Sequence, residues 1–374
     1  MTNKGAEILF ALIRRALFDA DRPGIEPDYA TVEASVWSQV VELAGEHGVG
    51  AIVADGFDTL YEGTDEDEVV TTLDLEENET IKYELYAMQL NQETFYSSQL
   101  SSSIELSDAL RDKGLEMVVL KGLALGDCYP RPEHRYSCDL DCFLVPSDGT
   151  SIGGDAFSYG NDIVRSMGIE VNEDYYKNSS FDFKDIHVEN HHFCTAWRGS
   201  EAGRRFELLL EKLLPEHLSP ICGGHMFAPS PLFTALLLTK HAYQHYLIED
   251  GILIKHILDW GLFMRRHKGE IEEGDYWKYC REFGLDRFAQ AMTQVAGFIL
   301  GEIEIHDLSD ADQYLLSCVV DRVDTVAGVD RLSLARHIIF SGRKFRYFGA
   351  ESRLACLWHF VRGYYFEKKP DLNI

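Results

Sequence analysis

Long apolar runs, basic residues and paired cysteines are what this chain is short of. No apolar stretch in its 374 residues approaches the about 20 needed to span a bilayer. The N-terminal run ILFALIRRALF is broken by Arg14-Arg15 and carries no signal-peptide cleavage pattern, so a cytoplasmic protein is expected. The 8 cysteines, Cys128, Cys138, Cys142, Cys194, Cys222, Cys280, Cys318 and Cys356, include no CxxC pair. That argues for reduced thiols and against a disulfide framework. Lys and Arg number 35 against 62 Asp and Glu, a formal charge of −27. A general nucleic-acid-binding surface is therefore not expected, because such binding rests on neutralised phosphates. There is no GxGxxG turn, no P-loop and no Ser or Cys in a nucleophile elbow.

What is present describes a folded protein. Hydrophobic residues make up 45% of the chain and aromatics 12%, enough for a large core divided into two or three units. Charge is unevenly spread: residues 61–80 hold nine acidic side chains and no basic one, while 331–369 hold nine Lys or Arg against two Glu. The two segments could attract each other, or the basic tail could dock a phosphorylated partner.

Periodicity divides the chain. Ile8, Leu9, Leu12, Ile13 and Leu17 recur at threes and fours, the spacing of one buried helix face. Segments 36–43 and 50–54 read as further helices hinged at HGVG, and 81–113 as a long helix capped by Gly114. An α/β stretch follows over 115–195. It holds a helix at 157–167 ended by Gly168 and strand-like segments at 169–175 and 180–193. Helical spacing returns from Pro231, through 252–264 and 276–300, and again over 307–366.

Residues 117–146, MVVLKGLALGDCYPRPEHRYSCDLDCFLVP, carry the chemistry. Met117 to Leu120 read as a buried strand, Lys121-Gly122 as a tight turn, and 123–126 as a helix start whose amides favour an anion such as phosphate. A loop with Pro130, Pro132, His134 and Arg135 leads to a second strand, CDLDCFLV. Alternation puts Asp139 and Asp141 on one face and Leu140 on the other. Two carboxylates about 7 Å apart on a buried strand are costly unless a cation neutralises them. Mg²⁺ held by carboxylates and substrate phosphates is the common solution. A solvated edge strand is the alternative, and the apolar flanks argue against it.

LKG, a Tyr-Pro loop, an Arg and then Asp-x-Asp ending in an apolar strand resemble the uncharacterised nucleotidyltransferase family, a branch of the DNA polymerase β-like nucleotidyltransferase superfamily. The resemblance runs from roughly Val41 to Gly301 and is strongest over 117–146. It implies an α+β fold, with a polymerase β-like core of mixed sheet and helices over 115–225. Helical regions over 1–114 and 226–374 would flank it. It implies a metal-dependent transfer of NMP from an NTP to an acceptor, with two Mg²⁺ or Mn²⁺ ions clamped by three carboxylates. Asp139 and Asp141 supply two. In IHVENH the same face carries His187, Glu189 and His191, and the family typically has an acidic residue here followed two places later by His. Glu189 thus becomes the third metal ligand, completing the acceptor-side metal and helping to deprotonate the acceptor. Glu is one methylene longer than the more usual Asp. The resemblance places Lys121, Gly122, Arg135 and His191 at the nucleotide. The wider superfamily has a Gly-Ser or Gly-Gly turn cradling the β- and γ-phosphates; here Lys121 takes the first position and the Ser is missing.

Other readings stay open. His241 and His245 lie one helical turn apart with Asp259 further on. That spacing suits zinc but lacks a full ligand set, and a packed interior helix explains it as well. Tyr243 and Trp260 could stack on a base or simply pack. Against the transferase stand a catalytically inactive nucleotide- or partner-binding module with the same fold, and a toxin-like transferase acting on tRNA or protein. The last would use basic residues such as Arg343, Lys344 and Arg346 as its docking surface. The acceptor, a small molecule, tRNA or protein, is not encoded in any motif.

Overall fold

A computed structural model describes residues 4–18, 26–60, 75–147, 154–195, 200–248, 251–322, 338 and 342–361. The acidic run at 61–74 and much of the basic tail lie outside these residues. Helix α1 (Lys4–Leu17) buries the expected Ile8, Leu9, Leu12, Ile13 and Leu17. Helices α2 (Ala34–Glu46) and α3 (Gly50–Asp58) follow, hinged where Gly48 takes φ +65. The long α4 (Leu75–Arg111) ends ahead of Gly114 at φ +86.

The sheet begins with β1 (Leu115–Val119) and β2 (Asp139–Pro146), joined by a 3₁₀ turn over Gly122–Cys128. A 3₁₀ stretch thus stands where a helix is expected after Gly122. Helix α5 (Ala156–Ser166) is capped by the Asp155 side chain on Ser158 N at 2.8 Å. Strands β3 (Asn178–Phe183) and β4 (Ile186–His191) form a hairpin, so the expected single strand at 180–193 is split at Lys184, φ +54. Residues 169–175 make only an isolated bridge, Asn172 to Ser180, instead of the strand expected there. Helix α6 (Glu201–Leu213) and the short β5 (Ser219–Ile221) and β6 (Met226–Ala228) complete this part.

Beyond lie α7 (Pro231–Ile248), α8 (Ile254–Arg266), α9 (Lys268–Glu273), α10 (Tyr276–Glu282), α11 (Asp286–Ile299) and α12 (Asp310–Val320). The described tail adds α13 (Gly342–Phe348) and α14 (Arg353–Val361). Gly284, at φ +68, splits the helix expected over 276–300 into α10 and α11.

The sheet order is β3-β4-β2-β1-β6-β5, so β2 is an interior strand with partners on both sides. β2 runs parallel to β4 and antiparallel to β1. Alternation divides the sheet cleanly. Met117, Val119, Leu140, Cys142 and Val188 pack with Leu106, Leu110 and Ile163 of α4 and α5. Val118 and Leu120 face a larger core in which α1–α3 and α7–α12 are continuous. The two helical regions therefore share one core, stitched for example by Phe10 against Phe298 at 6.0 Å. Asp139 and Asp141, alternating with Leu140, point into this helical side.

α1 and α3 approach so closely that a Cβ on Gly56 would stand 2.0 Å from the Leu12 carbonyl oxygen. Backbone cannot yield as a side-chain tip can, so Gly56→Ala is expected to destabilise by ~3 kcal/mol. Gly269→Ala, with nothing within 4 Å of its Cβ, should stabilise by about 0.5–1 kcal/mol through helix propensity. Urea denaturation of both variants checks the contrast.

Candidate active site

Strand register brings the expected residues together where β1 ends and β2 begins. Leu120 N–H donates to Asp141 O at 2.9 Å, so the next residue, Lys121, in extended conformation, is delivered beside Asp141. Its Nζ lies 2.9 Å from Asp141 Oδ2. The chain then turns at Gly122, φ +59, where a Cβ would stand 3.1 Å from Ser137 Oγ. Gln99 of α4, buried, donates to Asp139 O at 3.0 Å and to Ser137 Oγ at 3.3 Å, and Gln92 donates to Arg135 O at 3.0 Å. The helix thus holds the loop leading into β2 by its backbone.

Across the parallel pair, Asp141 stands opposite Glu189. His191, two residues on and on the same face, has Nε2 at 2.9 Å from Asp141 Oδ1 and 3.3 Å from Glu189 Oε2. Its Nδ1 is 3.0 Å from Phe193 O, and an imidazole donating from both nitrogens is an imidazolium. Burial and Lys177 push the His191 pKa down, but the hydrogen bonds to Asp141 and Glu189 outweigh them and raise it. Burial raises Asp141, yet Lys121 and His191 overcome this and hold it far below the usual carboxylate range. The bond from His191 likewise lowers Glu189 against its burial.

Asp139 differs. Among the described residues no cationic side chain pairs with it, and its contact is the Cys138 thiol, Sγ at 3.7 Å. Burial and the neighbouring Asp141 charge raise its pKa, with Lys121 opposing. The ligand atoms that lie within 4.8 Å of one another here are those of Asp141, Glu189 and His191; Asp139, unpaired beside them, would have to join Asp141 and Glu189 to give the all-oxygen set that suits Mg²⁺ or Mn²⁺.

Asp139 and Asp141 line a narrow cavity of about 50 Å³, walled on the far side by His241 of α7 and by Lys255, His256 and Asp259 of α8. A wider cavity of about 470 Å³ opens beyond Tyr136, Ser137 and Cys138, which line both, against α2, α3 and α4.

Arg135 lines the narrow cavity, but its charge goes elsewhere. It is buried and forks onto Asp259, Nε to Oδ1 and Nη2 to Oδ2 each at 2.8 Å. Tyr129 donates its hydroxyl to the same Oδ1 at 2.7 Å. Asp259 is therefore the partner of Arg135 and does not complete a ligand set with His241 and His245. Those two are joined instead by His256, the three offering nitrogens within 4.8 Å of one another. Tyr243 and Trp260 are core residues, 5% and 0% exposed. Lys344 is buried with its Nζ on Tyr246 O, so it is not part of a docking surface. Sequence reasoning did not single out Lys177, Gln99, Lys255 or His256; no motif spacing marks them, and only packing brings them to the site.

A model of the uncharacterised nucleotidyltransferase family matches residues 33–301. The chain belongs to that family. The matched span runs from just before α2 to just past α11, so it contains both carboxylate strands and the opposing wall of α7 and α8. No curated protein and no solved structure matches the chain. Among the described residues no helix is long and apolar enough to cross a membrane.

The two aspartates should respond oppositely to neutralisation. The unfolded carboxyl value is near 3.8. Because the folded Asp139 pKa is raised, the native state binds that proton more tightly, and stability falls as pH rises through the window above 3.8. Asp139→Asn removes this loss and should raise Tm near neutrality in divalent-free buffer. Asp141 is depressed, so it contributes stability that is present above 3.8 and lost as pH falls. Asp141→Asn strands Lys121 and His191 and should cost about 3–5 kcal/mol. Thermal unfolding across pH reads both.

Proposed function

We propose that the chain is a metal-dependent nucleotidyltransferase moving an NMP from an NTP to an acceptor hydroxyl or phosphate. The supporting observation is the placement of Asp139 and Asp141 on one face of an interior strand with Glu189 directly across from Asp141. Family membership supplies the reaction class. Asp139, Asp141 and Glu189 would hold Mg²⁺ or Mn²⁺, and bound there the metal neutralises charge developing on the α-phosphate and the leaving pyrophosphate. In the transfer a bond forms between the acceptor oxygen and the α-phosphorus, and the bond from that phosphorus to the pyrophosphate oxygen breaks.

The chain's own residues do the positioning. Lys121 closes on Asp141 in the free protein and offers its charge to an incoming phosphate. His191 keeps Asp141 and Glu189 ionised and oriented. Glu189 Oε2 is engaged by His191, leaving Oε1 to take the proton released by an acceptor hydroxyl. Arg135, fixed on Asp259, ties the loop before β2 to α8 and so acts on the site through position.

A nucleotide-binding module without turnover is the second reading. It draws on the closed Lys121–Asp141–His191 set, which satisfies Asp141 with no ligand present.

Asp139→Asn and Asp141→Asn should each lower pyrophosphate release by about a thousandfold or more. Calorimetric titration of each NTP in Mg²⁺ should show one nucleotide whose binding needs both metal and carboxylates. Activity should fall with acidification as Asp139 takes up its proton, at a pH above the 3.8 of a free aspartate. Unchanged turnover in a folded double variant removes the proposal; binding without pyrophosphate release selects the inactive module.

A further inference from the structure

We propose that Lys255 and His256 of α8, with His241 of α7, form the phosphate subsite that receives the pyrophosphate-bearing end of the nucleotide. The inference rests on the nucleotidyl-transfer reading and assigns a role to the wall facing the carboxylates.

The sheet side is poor in available donors. Lys121 can turn to a phosphate only while sharing its charge with Asp141, 2.9 Å away, Arg135 is forked onto Asp259, and no serine follows Lys121 at the turn. Across the cavity the situation is reversed. Lys255 has no carboxylate partner among the described residues; its Nζ rests over the Tyr136 ring, 4.7 Å from the centroid. A cation that rests on an aromatic face, with Asp139 in electrostatic range but no carboxylate in contact, in a cavity with Lys121 and Gly122, is suited to an anion.

The histidines read as donors. Leu253 N–H donates to His256 Nδ1 at 3.1 Å, which places the lone pair on Nδ1 and, in the neutral ring, the proton on Nε2. Burial and the nearby cationic and imidazole groups keep both His256 and His241 well below the usual histidine pKa. His241 has no protein hydrogen-bond partner among the described residues and lines the same cavity. A neutral His256 with its proton on Nε2 and a neutral His241 with its own N–H, backed by a lysine, offer a phosphate donors without a further buried charge.

The same observation argues against zinc on His241, His245 and His256. A histidine ligating metal through one nitrogen donates a proton from the other, whereas His256 Nδ1 accepts one.

The test is calorimetric titration of the full chain in Mg²⁺ with inorganic pyrophosphate, with the best-bound NTP and with its NMP, for wild type, Lys255→Met and His256→Phe. Affinity for pyrophosphate and NTP should fall about tenfold or more in each variant while NMP affinity changes less than twofold. Lys255, half-buried at the cavity mouth, keeps the test valid if the His256 variant does not fold. Wild-type pyrophosphate affinity in Lys255→Met overturns the subsite, even if the wild type transfers nucleotide. Pyrophosphate binding that depends on Lys255 in a chain with no transfer activity upholds the subsite and removes the transferase reading. Stoichiometric binding of zinc alone, lost in His241→Phe and His256→Phe, assigns the cluster to metal and overturns the proposal.

Discussion

The buried contact between Asp141 and its two cationic neighbours organises the centre of this molecule. A carboxylate that is 4% exposed cannot stay ionised without compensation. Lys121 and His191 reach it from the end of β1 and the end of β4, so one charge fixes the relative position of three strands. Glu189 joins through His191. Because the network is closed, the site can be assembled and stable in the free chain, with Asp139 left as the uncompensated group at the cavity. This asymmetry separates a carboxylate compensated within the protein from one left unpaired at the cavity, although both belong to the same two-residue pattern.

The second constraint links sheet and helices. Arg135, at the head of β2, and Asp259, on α8, form a forked ion pair closed by Tyr129. A paired guanidinium and carboxylate in a nearly dry setting hold geometry better than an exposed pair, since breaking either strands the other. The pair lies on the wall of the narrow cavity, so it sets the distance between the carboxylates and the facing helix. On the other side, Gln92 and Gln99 of α4 hold the same loop by its backbone. The loop from Arg135 to Cys138 is thus held from both sides, with a cavity on each.

Much of the fold was legible in the sequence because periodicity is a local property. The faces of α1 and β2, the termination of α4 near Gly114 and the helix start at Pro231 all follow from residues within a few positions of one another. The misreadings share a cause. Residues 180–193 look like one strand by composition, and only the positive φ at Lys184 makes them two. Residues 123–126 look helical by composition, and they fold as part of a 3₁₀ stretch over Gly122–Cys128. The short β5 and β6 are not legible in the sequence, since three-residue strands have too few positions to show alternation.

The sequence by itself determined that two aspartates share one face of a strand, that an acid and a histidine alternate on a later one, and that a lysine and glycine mark the turn between β1 and β2. These are matters of spacing, and spacing survives into any fold that keeps the strands. Tertiary structure alone decided which charges neutralise which. It set Asp141 against Lys121 and His191, took Arg135 away to Asp259, and brought Lys255, His241 and His256 to face the carboxylates. Asp141 and Lys255, 114 positions apart, meet because two cores pack against one sheet, and electrostatic roles depend on that distance in space, which no local pattern records.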